Sequence, residues 1–199
     1  KLTDTKNERC GIREITWDED YCYVNGEKCI LRGFGNRNTY PGLGSAVPVS
    51  LQWQDIAYIA KCGGNAYRVP FAEIFEACDV YGVLVILNTG DNEWALRDEP
   101  SLSYKWECDR DVMIAYRSHP SVAVWESNNG LPYEGEKYYP SYTLEQVRRW
   151  DYIQPRIVSN RDGFPPKWNK EDPILIGYTN RYEKMKGYPS YNSEVYGTN

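Results

Sequence analysis

The chain has 199 residues, enough for one domain with a sizeable buried core. Its net charge of −5 at pH 7 comes without runs of like charge or a basic patch with interleaved aromatics, which argues against a nucleic-acid surface. No apolar stretch approaches the roughly 18 residues of a membrane span, and the 18 Tyr and 7 Trp are an excess that fits stacking on sugar C–H faces.

Residues 1–30 read as short strands over Ile12–Ile15, Tyr21–Val24 and Lys28–Arg32, with Asn25-Gly26 as a hairpin turn. This piece is expected to cap the bottom of a barrel or to close an upstream β-domain. Cys29–Asn36 is the first strand of the main domain, followed by a Gly- and Pro-rich loop over 37–50. Ser50 is placed to cap a helix over 51–62, with Leu51, Ile56, Ile59 and Ala60 inward and Gly63-Gly64 as its stop. Asn65–Pro70 is a second strand with Arg68 near its end, and a helix over 71–80 comes next. Val83–Leu87 is the most apolar run, as expected of a parallel strand buried on both faces. It leads into the polar loop Asn88–Trp94.

Tyr104–Arg117 reads as a helix with Trp106, Val112, Met113 and Tyr116 inward. Ser121–Trp125 is a fourth strand, ending in Glu126-Ser127-Asn128-Asn129-Gly130. His119 is the only histidine; without a Gly-x-Ser-x-Gly motif, a serine-hydrolase triad has little support and a structural His119 is expected. Thr143–Asp151 is a short helix, and Pro155–Asn160, Ile174–Tyr178 and the segment around Glu194 are three more strands. The rhythm of strand, 15–25 residues, strand predicts a parallel α/β architecture. The polar clusters after its strands match the way a barrel presents a site at one rim.

The six cysteines contain no CxxC pair, so a zinc site is not expected. Most read as buried thiols, with one bridge such as Cys22 to Cys29 left open. The chain starts without Met, which reads as a mature or excised form; the cysteine usage leaves the compartment undecided, with a secreted or periplasmic location slightly favoured.

Several segments, taken in order, resemble glycoside hydrolase family 2, which holds β-galactosidases, β-glucuronidases and β-mannosidases. Val24–Gly33 resembles its "NGKP…LRG" segment, and Gly64–Arg68 its "GxNxxR" strand. Cys78–Val85 is similar to "CDxxGxxV", Arg117–Trp125 to "RNHPSIxxW", and Ser193–Gly197 to the nucleophile segment "SExG". The resemblance covers residues 24–197. It implies a (β/α)8 TIM-type barrel and a retaining glycosidase that needs no cofactor or metal and takes a carbohydrate substrate. Two carboxyl groups would act across a β-glycosidic bond, about 5–5.5 Å apart. Glu194 matches the nucleophile, and Asn129 matches the asparagine at the sugar 2-hydroxyl. Tyr178 is a candidate donor to Glu194, and Arg68 would favour a nearby carboxylate's charged form. Trp94 and Asn180 are candidate substrate-binding residues.

Two departures from the family pattern stand out. The acid/base position directly after Asn129 is Gly130, which cannot transfer a proton. Glu126 is the first candidate to stand in, with Glu134 and Glu93 as others. The chain also stops after the seventh strand, so the expectation is an incomplete barrel of about seven strands over 29–199. Residues 1–28 would be a β segment or linker from an upstream domain. That reading implies a fragment, or a barrel completed by another chain or further domains. The alternative to a hydrolase is a catalytically impaired relative serving as a sugar-binding or structural module.

Overall fold

The computed structural model describes residues 3–7, 10–35, 39–69, 74–89, 99–126, 144–152, 156–161, 174–179 and 189–194. The amino-terminal part is a small antiparallel sheet of β1 (Ile15–Trp17), β2 (Cys22–Val24) and β3 (Glu27–Cys29). Its tight turn is Asn25-Gly26, with φ of 53° and 79°. Both are left-handed, as the two-residue turn that matches strand twist requires, and Asn and Gly are the residues that tolerate it.

The main sheet has seven strands: β4 (Gly33–Gly35), β5 (Ala66–Val69), β6 (Leu84–Asn88), β7 (Val122–Glu126), β8 (Ile157–Arg161), β9 (Ile174–Thr179) and β10 (Ser190–Glu194). They are parallel and lie side by side in sequence order. The connections include α1 (Val49–Lys61), α2 (Phe75–Tyr81), α3 (Glu99–Tyr116) and α4 (Leu144–Trp150). Strands added one after another, each with its crossover, are the topology of a βα barrel. Among the described residues, β4 and β10 are the edges of this sheet.

Two apolar clusters lie on opposite faces. The outer one gathers Ile56 of α1, Phe75 and Cys78 of α2, Met113 of α3 and Val147 of α4 around Val85, Leu87, Val122, Trp125 and Val158. The inner one holds Ile86, Ala123, Val124 and Tyr191, with Ile15 and Trp17 of β1 packed against it. The small amino-terminal sheet therefore reaches the inside of the curled main sheet. The alternation slips once: Val85 pairs with Val122 but Ile86 pairs with Val124, leaving Ala123 as an extra residue. That slip is why Ala123 and Val124 both face inward.

Several expectations shift. The first strand does not run from Cys29 to Asn36; it divides into the end of β3 and the short β4. Asn65 occupies the gap, donating to the Ile30 carbonyl (3.0 Å) and accepting from the Arg32 amide (2.7 Å). These bonds satisfy a backbone that would otherwise need a ladder partner. The first helix is capped not by Ser50 but by Pro48, without a side-chain bond. Ser50 is already inside the helix. The third helix begins at Glu99 rather than Tyr104; Pro100 suits its first turn, where an amide has no intrahelical partner anyway. Cysteines are less buried than expected: Cys10 and Cys62 are exposed, Cys29 and Cys108 half-buried, and only Cys22 and Cys78 buried.

The lower ends of the strands are held by a charged cluster. Asp79 accepts from the Ser121 amide (2.9 Å) and pairs with His119 Nδ1 (2.7 Å), the structural role expected of the only histidine. Burial raises the Asp79 carboxyl, but the bonds from His119 and Ser121 outweigh it and hold the group below its usual value. Asp151 accepts from Trp125 Nε1 (2.9 Å) and, on both its oxygens, from Arg156 Nη1 (2.7 and 2.8 Å). Arg156 and Arg13 both donate to the Val122 carbonyl, and Arg13 also reaches the Pro120 carbonyl. Burial, with Arg156 adding, lowers the Arg13 guanidinium to about 10.

The sequence pattern did not mark Asp109, buried on α3 beside Lys105 (3.0 Å). Burial raises its carboxyl to about 6, against an ordinary value of 3.8. A raised acid binds its proton more tightly in the folded chain than in the unfolded one. The stability it contributes is complete below about pH 4 and is lost as the pH rises towards 6. Asp109→Asn should therefore gain on the wild type between pH 4 and 6 and hold a constant difference above pH 7, measured by urea unfolding at each pH. A difference that does not vary with pH would refute the buried-acid assignment.

At Gly64, a Cβ would sit 2.6 Å from Ile59 Cγ2 and 2.9 Å from the Phe34 ring. Gly64→Ala should cost about 1–3 kcal/mol of unfolding free energy by overpacking, read from the shift in denaturant midpoint.

Candidate active site

Barrel enzymes place their chemistry where the strands end. Here side chains from five strands gather around one carboxylate. Glu126, the last residue of β7, is 0% exposed. Arg68 of β5 donates to both its oxygens, from Nε to Oε1 (2.8 Å) and Oε2 (3.0 Å), with Nη2 also on Oε1. Asn88, at the end of β6, donates to Oε1 (3.0 Å). The Tyr191 hydroxyl of β10 donates to Oε2 and accepts from Ser159 of β8 (3.0 Å). Burial raises the Tyr191 phenol well above its ordinary value, and the Glu126 charge adds to this, so the hydroxyl stays a donor. The main chain joins in, as Thr89 donates its amide to the Glu126 carbonyl (3.1 Å).

These contacts also fix the shape of the sheet. Strands β5 and β10 are five steps apart, which in a flat sheet is about 24 Å. Arg68 and Tyr191 nevertheless touch the same side chain, so the sheet must curl around a polar centre.

The expected site residues fall into three groups. Arg68 and Glu126 meet directly. Glu194 is the last residue of β10, in register with Thr179, after an irregularity between Asn192 and Glu194. Tyr178 lies on β9 opposite Asn192. The side chains of Glu194 and Tyr178 lie outside the described residues, as do Trp94, Asn129, Gly130, Asn180, Glu93 and Glu134 in full. The surroundings of Glu126 do not suit the acid/base role expected of it. Both oxygens accept from fixed donors and the side chain is fully buried, which leaves no open oxygen for a leaving group.

Sequence reasoning passed over Tyr191, Ser159 and Asn88 as partners of this carboxylate. Tyr191 shares the strand of Glu194, but three residues before it strict alternation would place it on the opposite face, and the irregularity between Asn192 and Glu194 that breaks this parity has no mark in the sequence. Nothing marked Ser159 either. Among the described residues, no group of three or more His, Cys, Asp or Glu side chains gathers as a metal site would need, and no helix is long and apolar enough to cross a membrane.

Residues 15–159 match the family described as glycosyl hydrolases family 2, TIM barrel domain. The chain belongs to glycosyl hydrolase family 2. A β-glucuronidase of Formosa agariphila is 30% identical over 172 residues, covering 81% of this chain and 17% of that protein. The β-glucuronidase of Sus scrofa is 25% identical over 195 residues, covering 94% of this chain and 28% of its own length. The chain thus spans under a third of these two family members. A solved β-galacturonidase of the family from Eisenbergiella tayi superposes with a TM-score of 0.71 at 22% identity, over 94% of this chain and 39% of that one. The family match begins at β1, so it takes in the small amino-terminal sheet as well as the parallel strands.

Glu126 and Arg68 form a pair whose members cannot be removed singly without leaving a buried charge. Glu126→Leu should lower the unfolding free energy by about 3–5 kcal/mol, and Tyr191→Phe by roughly 1–3 kcal/mol, both by urea titration. A loss below about 1 kcal/mol for Glu126→Leu would mean that the pair is not formed in solution.

Proposed function

We propose that the chain is the catalytic barrel of a retaining β-glycosidase, with Glu194 as nucleophile and Glu126 as the group that positions its surroundings. The observation that carries this is the convergence of Arg68, Asn88, Ser159 and Tyr191 around Glu126, with Tyr191 on the strand that ends in Glu194. Retaining hydrolysis needs a carboxylate to attack the anomeric carbon and a second carboxyl to protonate the leaving oxygen. Glu194 stands at the matching family position. Arg68 and Glu126 neutralise each other, so the ionised form of Glu194 is assigned to hydrogen bonding, with Tyr178 as its donor. Asn129, Tyr178, Trp94 and Asn180 are assigned to substrate binding on the family pattern.

The acid role passes to Glu134 or Glu93, since Gly130 occupies the family position and Glu126 is fully engaged. The substrate class is a β-glycoside, and β-glucuronides are the first to test because two relatives carry that name. The residues that continue the barrel and the domains around it belong to the longer protein that the coverage of the relatives points to. Residues 1–28 are assigned to a β segment leading in from an upstream domain, and 29–199 to the barrel.

The second reading is a catalytically impaired sugar-binding module. It is favoured by Gly130 and by the sequestration of Glu126. Aryl β-glycosides with graded leaving groups separate the two. A working nucleophile with a weak acid gives turnover of dinitrophenyl β-glycosides and a steep fall in kcat as the leaving group becomes more basic. Glu194→Gln should reduce turnover by roughly 10³-fold or more. Sugar binding by calorimetry without turnover of any activated glycoside, β-glucuronides and β-galactosides included, would sink the hydrolase reading.

A further inference from the structure

Two of the six cysteines stand directly opposite each other. Cys22 on β2 is the cross-strand partner of Cys29 on β3, three positions back from the Asn25-Gly26 turn. Directly opposed residues of an antiparallel pair put their side chains on the same face of the sheet. Counting from the closing pair Val24 and Glu27, the alternation makes Cys22 and Cys29 a hydrogen-bonded pair, with Cα atoms about 5.5 Å apart. That separation falls inside the roughly 4.4–6.8 Å range that a disulfide spans. The register cannot drift, because a two-residue turn sets it and a slip of one would reverse every side chain.

We propose that Cys22 and Cys29 are a reversible disulfide site, which a small-molecule disulfide such as oxidised glutathione converts from two thiols to a staple across the hairpin.

The surroundings give the two sulfurs different parts. Cys22 is 3% exposed, and burial raises its thiol to about 12, with Cys29 adding to the effect. Cys29 is half-buried; burial raises it too, but the charge of Arg32 acts against this. Cys29 is therefore the sulfur that solvent and an oxidant reach first. Its thiolate attacks one sulfur of glutathione disulfide and expels one glutathione thiolate, leaving a mixed disulfide. The Cys22 thiol then gives up its proton and attacks the Cys29 sulfur, expelling the second glutathione. Two protein thiols are oxidised and one glutathione disulfide is reduced to two thiols.

The step has a structural consequence. In the thiol form, Asn65 Nδ2 contacts Cys29 Sγ at 3.5 Å while the same side chain holds Ile30 and Arg32 between β3 and β4. Turning Cys29 towards Cys22 withdraws that contact. The oxidised hairpin is thus locked within itself and loosened at the point where it meets the main sheet. The other four cysteines have no such partner in register: Cys10 and Cys62 are exposed and Cys78 lies in the outer core.

Peptide mapping tests this on the intact protein. The protein is equilibrated with oxidised glutathione, free thiols are blocked with iodoacetamide, and trypsin is added without reductant. Cleavage after Arg13, Lys28 and Arg32 separates the two cysteines onto peptides 14–28 and 29–32. The expected result is one species in which these peptides are joined, with no added glutathione, and which excess reduced glutathione takes apart. In Cys22→Ser the second step is blocked, so peptide 29–32 should carry one glutathione. The proposal is overturned if the two peptides stay separate and alkylated, or each carries its own glutathione, under conditions where Cys10 and Cys62 have reacted.

Discussion

The upper half of this fold depends on one buried ion pair. Taking a carboxylate and a guanidinium out of water is costly, and the pair holds only if the remaining bonding capacity of both is met. Glu126 meets that demand by drawing in donors from three other strands. Arg68 spans the distance from β5, Asn88 reaches from the neighbouring strand, and Tyr191 arrives from β10, steadied by Ser159. An apolar residue at 126 would have no reason to gather these partners. The curl of the sheet and the location of the polar centre are thus parts of one arrangement.

The lower ends of the strands use charge differently. Asp79, Asp151, Arg13 and Arg156 bind mainly backbone groups and each other, around the start of β7 and the helix ends beside it. Their work is to anchor: Arg13 attaches the amino-terminal segment to β7, and Ile15 and Trp17 then fill the space under the inner cluster. Charge at one end therefore fixes chain connections, while charge at the other points side chains at a common centre. That division matches barrels in general, where the lower face serves stability and the upper face chemistry.

Family membership and local geometry bear on Glu126 in different ways. The family pattern places an acid/base at the position Gly130 fills, so a nearby glutamate on the same strand is a reasonable substitute from spacing alone. Spacing cannot tell whether that glutamate opens to the rim or turns into the barrel. The side chain is the last residue of a strand with 0% exposure, and its direction is set by the extra residue at Ala123 and the partners it meets. The carboxylate that spacing offers as an acid is, in the structure, the one to which Arg68, Asn88 and Tyr191 bond.

Much of the architecture could be read from the chain. Alternating turn signals and apolar runs located all seven parallel strands to within a few residues, and Asn25-Gly26 set the hairpin register because few residues accept that backbone. The motifs around Arg68, Trp125 and Glu194 identified the family because they report local backbone needs and side chains at fixed offsets. What the chain could not disclose were contacts between residues far apart in sequence. The Tyr191–Glu126 bond joins positions 65 residues apart, and Arg68 reaches Glu126 across 58. Asp109 reads as an ordinary polar position of a helix until its burial is known. Short-range preferences of backbone and side chain decide elements and their order; only the closing of the sheet decides which buried charges meet, because that is set by distances the sequence does not carry.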